Sequence, residues 1–151
     1  MGPIGPMGPM GLAGPIGPAG PSSVVASYFA TGGETVVPSA ATQFLSPTVS
    51  VTIADGQSVF VNSTRALGSN STFGAAGLSL WICHQASWAL TPMRVGPGLL
   101  AMQVGQNQRV PFSLSGVLSG LPAGTYVIGL CGTGSSGWNS NAGGYTTALV
   151  F

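Results

Sequence analysis

Apolar and polar residues alternate along several short stretches of the chain. In the segment VSVTI, apolar Val49, Val51 and Ile53 alternate with polar Ser50 and Thr52, which is typical of a β-strand with one buried face and one solvated face. Similar apolar runs, separated by Gly, Ser, Asn and Pro, predict strands at 24–30, 49–53, 58–63, 78–85, 99–104, 110–118, 125–131 and 145–151. Eight short strands with turn residues between them predict an all-β fold, a sandwich or jelly roll.

Two of these predicted strands are apolar on both faces. They are the segments LSLWIC at 78–83 and TYVIGLC at 125–131. One face of each can pack against the second sheet of a sandwich, and the other face then needs separate cover. We expect a neighbouring subunit to supply that cover.

The first 22 residues follow a different pattern. Glycine occupies every third position from Gly2 to Gly20, and proline follows it in every triplet but one. A glycine at every third residue is the requirement of the collagen triple helix, in which only glycine fits at the crowded axis. The pattern predicts a three-chain collagen-like stalk over 1–22 and a separate head domain over 23–151. A disordered Pro/Gly linker is the alternative interpretation of the same segment.

The two parts together resemble a known architecture. A collagen-like stalk is followed by LPAGTYVIGLCG at 121–132 and by a terminal strand, and within that segment Gly124, Tyr126 and Ile128 match a Gly-x-Tyr-x-apolar strand. This arrangement resembles the collagen-plus-head proteins of the C1q and tumour-necrosis-factor superfamily, and the bacterial or phage collagen-like surface fibres with a trimeric jelly-roll head. The resemblance implies a homotrimer with a jelly-roll head, which agrees with the three-chain stalk.

Charge restricts the possible partners. Only 3% of the residues are charged and the net charge is +1. The charged residues are Glu34, Asp55, Arg65, Arg94 and Arg109. Without a basic cluster the chain has nothing to hold a phosphate backbone, so we expect no nucleic-acid partner. The apolar runs are much shorter than the roughly 20 residues of a spanning helix, so we expect no membrane insertion.

The inventory of reactive side chains argues against an enzyme and predicts no cofactor. There is one histidine, and general acid and base catalysis requires two placed titratable groups. Cys83 and His84 are adjacent on a predicted strand and point to opposite faces, so they cannot form a nucleophile–base pair. Three copies of His84 at a trimer axis could bind zinc, but nothing in the sequence places His84 there, and we predict no metal site. Cys83 and Cys131 are expected on neighbouring strands, either as one disulfide or as two buried thiols.

Two groups of residues are candidates for ligand binding. The loop GTGSSGWNSNAGGYTT at 132–147 presents an indole, two amides and a phenol in a polar, glycine-rich segment. The residues concerned are Trp138, Asn139, Asn141 and Tyr145. An exposed indole can stack on a sugar ring while the neighbouring amides bind its hydroxyls. The alternative is that Trp138 folds back to close one end of the sandwich or fills the groove between subunits. The second candidate group is Trp88 and Arg94, close to His84, with the same two interpretations.

These observations predict an extracellular homotrimeric fibre tip, on a cell surface or a virion, that binds a surface receptor for adhesion. A glycan is the expected receptor, because three weak sites on one rod give tight attachment by avidity. A purely structural head that registers a collagen-like filament is the first alternative. The second is a secreted ligand for a protein receptor.

Overall fold

The structure, a computed structural model, describes residues 1–3, 5, 24–32, 36–135 and 137–151. These residues form nine β-strands, and no helix occurs among them. The strands are β1 (Ala26–Gly32), β2 (Gln43–Phe44), β3 (Val49–Ile53), β4 (Val59–Ser69), β5 (Ala75–Ala86), β6 (Met93–Val104), β7 (Gln108–Leu118), β8 (Gly124–Thr133) and β9 (Gly144–Val150). The all-β prediction is confirmed. The predicted stalk at 1–22 lies almost entirely outside the described residues and stays a prediction.

The strands form two antiparallel sheets in a sandwich-like arrangement. Sheet A has the order β1-β9-β4-β7. Sheet B has the order β2-β8-β5-β6, and β3 also pairs with β8. The first strand pairs with the last along its whole length, from Ala26 opposite Val150 to Gly32 opposite Gly144. The chain therefore enters and leaves the domain through the same sheet.

The hydrophobic core lies between the sheets and follows from the alternation within each strand. Val49, Val51 and Ile53 of β3 are buried whereas Ser50 and Thr52 are exposed, so both the bounds and the facing of this strand are confirmed. From sheet A the core receives Val59, Val61 and Val150, among other residues. Full burial of such an aliphatic side chain contributes about 1.5–3 kcal/mol.

A small polar network also lies inside the domain. The Ser63 hydroxyl lies 2.6 Å from the Thr146 hydroxyl and donates to Ser46 Oγ at 2.8 Å. Ser46 Oγ accepts a hydrogen bond from the backbone N–H of Leu130 at 2.8 Å. Because these groups satisfy one another, hydroxyl side chains occupy core positions without unpaired donors or acceptors.

Two strands, β4 and β6, extend furthest beyond their predicted bounds, for different reasons. β4 continues past 63 because its inward positions hold Ser63 and Arg65, which are fully buried, so the strand persists after the apolar alternation stops. β6 begins at Met93 rather than at 99, and its pairing with β5 is interrupted by register shifts. Gly96 and Gly98 have positive φ in this segment, which breaks the alternation of an edge strand.

Candidate functional site

Trp138 does not form an exposed sugar platform, and that prediction is wrong. Its side chain is 0% exposed and packs in a core cluster with Leu78 and Leu130. The indole N–H donates to the carbonyl of Ala76 at 3.1 Å, and the ring meets Phe112 edge to face at 6.2 Å. An indole with its apolar surface buried and its one donor satisfied closes this end of the sandwich, as the alternative interpretation expected.

The polar neighbours of Trp138 hold the loop in place. Asn141 Oδ1 accepts from the backbone N–H of Gly68 at 3.2 Å, and its Nδ2 donates to the carbonyl of Trp138 at 2.9 Å. Asn139 Oδ1 accepts from the backbone N–H of Asn70 at 2.9 Å. Both amides therefore have structural partners on or beside β4. The two amides, which we expected to bind a ligand beside an exposed indole, instead hold the loop against β4.

Tyr145 lies apart from this loop cluster. It is on the outer face of sheet A, half exposed, and its ring stacks with that of Phe29 with centroids 6.3 Å apart. The sequence placed Tyr145 with Trp138 because seven positions separate them. The start of β9 lies between the two side chains and directs Tyr145 outward, so the four candidates do not form one site.

Arg94 is likewise separated from its expected group. It lies opposite Cys83 in the β5–β6 pairing, whereas His84 lies opposite Met93. Successive side chains of a strand point to opposite faces, so Arg94 shares the outer face of sheet B with Cys83 while His84 points inward. The Arg94 guanidinium lies 4.0 Å from the centre of the Trp81 ring, and its Nη2 donates to Thr42 Oγ1. Arg94 therefore packs over the Trp81 ring and does not belong to the group around Trp88.

The two cysteines lie on neighbouring strands, as predicted, and are joined. Cys83 of β5 and Cys131 of β8 form a disulfide with a Cα–Cα distance of 5.7 Å, and both residues are fully buried. Together with Trp81 and the partly buried Phe44 they form a cluster on the outer face of sheet B. The second apolar face of these two strands is therefore covered within a single chain. The expectation that a neighbouring subunit covers it is wrong.

The Trp88 cleft is a pocket at the end of the molecule opposite Trp138. It lies where β5 ends, and its walls come from the 86–92 turn, the start of β6 and residues 121–126. The side chains that shape it are His84, Trp88, Leu90, Met93, Pro122 and Tyr126, and its volume is about 570 Å³. The turn is held by the backbone hydrogen bond from Ala89 to Ala86 and by Gln85 Nε2, which donates to the Ala89 carbonyl at 2.7 Å.

Large apolar side chains stand exposed at the rim of this cleft. Trp88 is 84% exposed and Leu90 is 95% exposed, and Met93 is exposed as well. A cluster of exposed apolar residues around a concavity is typical of a binding surface. Of the described residues that line the cleft, none is charged. The cleft is therefore suited to an uncharged ligand.

Two polar residues define the inner wall of the cleft. The Tyr126 hydroxyl donates to the carbonyl of Pro122 at 2.9 Å, and its ring meets His84 edge on at 5.7 Å. Burial lowers the pKa of the His84 imidazole below its ordinary value. His84 Nδ1 is buried, and within the described part of the chain it has no hydrogen-bond partner. Sequence reasoning placed His84 and Trp88 together but missed Tyr126, which pairing of β5 with β8 brings beside them.

Among the described residues that line the cleft, His84 carries the one imidazole and none carries a carboxylate. Over the described ranges, no group of three or more His, Cys, Asp or Glu residues is placed to hold a metal ion.

A second candidate surface, the outer face of sheet A, consists of outward residues on all four of its strands. They are Ser27, Phe29, Thr31, Phe60, Asn62, Thr64, Ala66, Arg109, Pro111, Ser113, Ser115, Val117, Tyr145, Thr147 and Leu149. The one charged residue among them is Arg109, at the far end of β7 from Val117, and its guanidinium donates hydrogen bonds to Ser140.

Between Val24 and Phe151, apart from 33–35 and 136, no helix is long and apolar enough to cross a membrane. No protein-family model matches the chain, and no curated protein matches it.

Proposed function

We propose that the chain forms the head and a collagen-like stalk of an extracellular homotrimeric fibre whose tip binds a surface receptor, a glycan, for adhesion. The observation that carries this proposal is the uncovered outer face of sheet A. The glycine period of the first 22 residues supports it, because a collagen-like helix requires three chains.

The strand pairing supports a jelly roll. If β2 is left aside, the eight remaining strands pair first with last, second with seventh, third with sixth and fourth with fifth. That is the pairing of a long hairpin rolled into two four-stranded sheets, which is the jelly-roll arrangement. The fold proposed for the head is therefore the one that the resemblance to trimeric fibre heads implies.

The outer face of sheet A has the composition of a subunit interface. Leu149, Phe60 and Val117 are direct cross-strand neighbours and form an apolar row across three strands. The adjoining polar side chains are already paired, since Asn62 Nδ2 donates to Ser115 Oγ at 2.8 Å. Burying this row against a neighbour removes apolar area from water, and the paired Asn62 and Ser115 side chains lower the cost of burying the polar groups beside it.

The position of the chain entry favours threefold symmetry. Val25 donates its backbone N–H to the Val150 carbonyl, so the chain leading into β1 already runs along sheet A. Three copies with this sheet toward a common axis bring the ends of the three glycine-periodic segments together. A closed threefold arrangement would both bury the apolar row of sheet A and supply the three chains that a collagen-like stalk requires.

Sedimentation equilibrium of the whole chain tests the assembly. We expect about three times the 14.9 kDa chain mass. Phe60→Glu should give monomers, because three carboxylates would be buried beside the apolar side chains of Val117 and Leu149. The matched control is Ser50→Glu, on the exposed outer face of sheet B, which should stay trimeric. A monomeric wild-type chain at micromolar concentration overturns the proposal.

A glycan array with the trimeric head tests the receptor. We expect binding that Trp88→Ala abolishes, since the exposed indole is the stacking surface of the cleft. An array without bound glycans, from a protein that is trimeric, favours instead the purely structural head. Binding to a protein receptor alone favours the secreted ligand.

A further inference from the structure

We infer that the Trp88 cleft binds a neutral N-acetylated hexosamine, with the sugar ring on Trp88 and the acetamido group directed inward to His84. This inference rests on the proposed receptor-binding function and names the ligand class of its site. Three properties of the cleft lead to it: the absence of charge, the dominance of apolar walls, and one imidazole in an otherwise apolar interior.

The charge of the cleft selects a neutral sugar. Of its described lining residues none is Asp, Glu, Lys or Arg, and the nearby Arg94 is directed to the opposite face of sheet B. The carboxylate of a sialic or uronic acid would lose hydration there without gaining a cation. An ammonium sugar would equally lack a carboxylate partner. Either ionised ligand would be disfavoured by its desolvation.

The apolar walls select a sugar that carries an apolar group. Leu90, Met93 and Leu121 contribute hydrocarbon, and the polar side chains are limited to His84, Thr91 and Tyr126. A plain hexose would direct a hydroxyl into this space where an N-acetylhexosamine directs its acetamido group, and that hydroxyl gains nothing from the apolar wall and costs free energy if it stays unpaired. The acetamido group brings a methyl for the apolar wall and a carbonyl that a single donor satisfies, while its N–H, next to the sugar ring, faces the open side of the cleft. The cleft volume of about 570 Å³ is ample for one such ring.

The state of His84 provides that single donor. Nδ1 is buried and has no partner within the described ranges, so Nε2 is the ring nitrogen left to meet a ligand. Because burial lowers the pKa of His84, the ring is neutral at pH 7 and carries one N–H. Placing that proton on Nδ1 would bury an unpaired donor, whereas placing it on Nε2 directs it to the ligand. Nε2–H then donates to the acetamide carbonyl.

The rim completes the site. The Trp88 indole is a large flat apolar surface, and it can cover the C–H face of a pyranose ring. The edge-on contact with Tyr126, whose hydroxyl is held by Pro122, fixes the plane of the His84 ring. A donor held in one orientation loses little entropy on binding.

Saturation-transfer NMR and titration calorimetry on the whole chain test the inference. The probes are the methyl glycosides of N-acetylglucosamine and N-acetylgalactosamine, compared with those of glucose, galactose and glucosamine and with N-acetylneuraminic acid. We expect binding of at least one N-acetylhexosamine glycoside, with the saturation signal strongest at its acetamido methyl. The other probes should bind at least about tenfold more weakly.

Variants separate the contacts from the fold. His84→Phe keeps a ring but loses the donor and should weaken N-acetylhexosamine binding about tenfold, whereas Trp88→Ala should abolish it. The control is Phe73→Ala, since Phe73 is fully exposed at the turn before the other end of β5 and should leave binding unchanged. Sedimentation of each variant should give the wild-type mass.

The outcomes distinguish this inference from the function on which it rests. Equal binding of hexoses with and without the acetamido group, or N-acetylhexosamine binding that persists in Trp88→Ala, overturns the inference. If the trimer binds only glycans without N-acetyl groups, the inference fails and the receptor function stands. If the trimer binds no glycan at all, both fail.

Discussion

Each of the two sheets carries a row of apolar residues on its outer face, and the two rows differ in how far the chain itself covers them. On sheet B, Phe44, Cys131 and Trp81 are direct cross-strand neighbours, and the buried cysteine and indole are covered within the chain. On sheet A, the equivalent row of Leu149, Phe60 and Val117 has no such cover. The comparison teaches that apolar residues on both faces of a strand do not by themselves indicate a subunit interface.

The cover on sheet B depends on contacts that only long-range folding creates. Trp81 lies against β6, where a Cβ at Gly98 would be 2.4 Å from the indole Nε1. The guanidinium of Arg94 then lies over the same ring. The disulfide packs in one cluster with the indole and the guanidinium covers the ring, so this face is covered within the chain. On the outer face of sheet A, Phe60 and Val117 are exposed.

The largest effect should come from removing the disulfide that underlies the covered face. The bond closes a separation of 48 residues, for which the loss of loop-closure entropy in the unfolded chain predicts about 4 kcal/mol. Urea denaturation of the double variant Cys83→Ala, Cys131→Ala should show that loss. Added reductant should lower the stability of the wild-type protein and leave the variant unchanged. Equal wild-type stability with and without reductant would contradict a structural role for the bond.

The next largest effect should come from Gly98, which leaves room for the Trp81 indole against β6. Gly98→Ala places a methyl 2.4 Å from Trp81 Nε1 and 2.5 Å from the Leu80 carbonyl, at a φ of +71°. Overpacking and the left-handed backbone together should cost about 3 kcal/mol in the free energy of unfolding. Gly96→Ala is the control, because its φ is +73° but nothing lies within 4 Å of the added methyl. It should cost about 1 kcal/mol, and equal costs at the two sites would argue against the packing of Trp81.

Association of chains through the outer face of sheet A should make the thermal stability depend on protein concentration. If three chains associate through it, mass action raises the midpoint Tm as the concentration increases. Calorimetric scans over a hundredfold range of concentration should show this rise in the wild-type protein. Phe60→Glu should show a constant Tm, because the variant unfolds as a monomer. A concentration-independent Tm for a trimeric wild type would place the assembly elsewhere, in the stalk.

The smallest effect concerns His84. Its pKa is lowered in the folded state, so the unfolded chain binds more protons once the pH falls below about 6.5. The stability associated with the neutral imidazole is therefore full above that pH and is lost as the pH falls through the folded-state pKa. The slope cannot exceed about 1.4 kcal/mol per pH unit, the value for one proton. Denaturation between pH 7 and 5 should show it, and His84→Phe should remove it, since the chain has one histidine.

The candidate site was predictable in part. The sequence placed Trp88 near His84 and left open whether its indole is exposed or packed, and the structure shows it exposed at a cleft beside His84. Arg94 could not be excluded from that group by sequence distance alone. It was the pairing of Cys83 with Arg94, rather than of His84 with Arg94, that directed the guanidinium to the other face. The register of an irregular edge strand depends on its bulges, which sequence alternation does not reveal.

Trp138 and Trp88 show that local sequence does not distinguish a buried tryptophan from an exposed one. Both follow predicted strands in polar, glycine-containing or serine-containing segments, and sequence reasoning gave both the same two interpretations. The Trp138 indole N–H donates to the carbonyl of Ala76, which is 62 positions away along the chain, and this long-range contact holds the indole in the core. No comparable partner covers Trp88 among the described residues, since its side chain is 84% exposed.

The sequence by itself determined the all-β class, the facing of strands such as β3, and the placement of Cys83 and His84 on opposite sides of one strand. These properties follow from the two-residue period of an extended chain, which is local. Only the tertiary structure decided which apolar face is covered, which tryptophan is exposed and which residues share a cleft. Those outcomes depend on side chains far apart in sequence, such as Phe44 with Trp81 and Tyr126 with His84, that meet only when the strands pair.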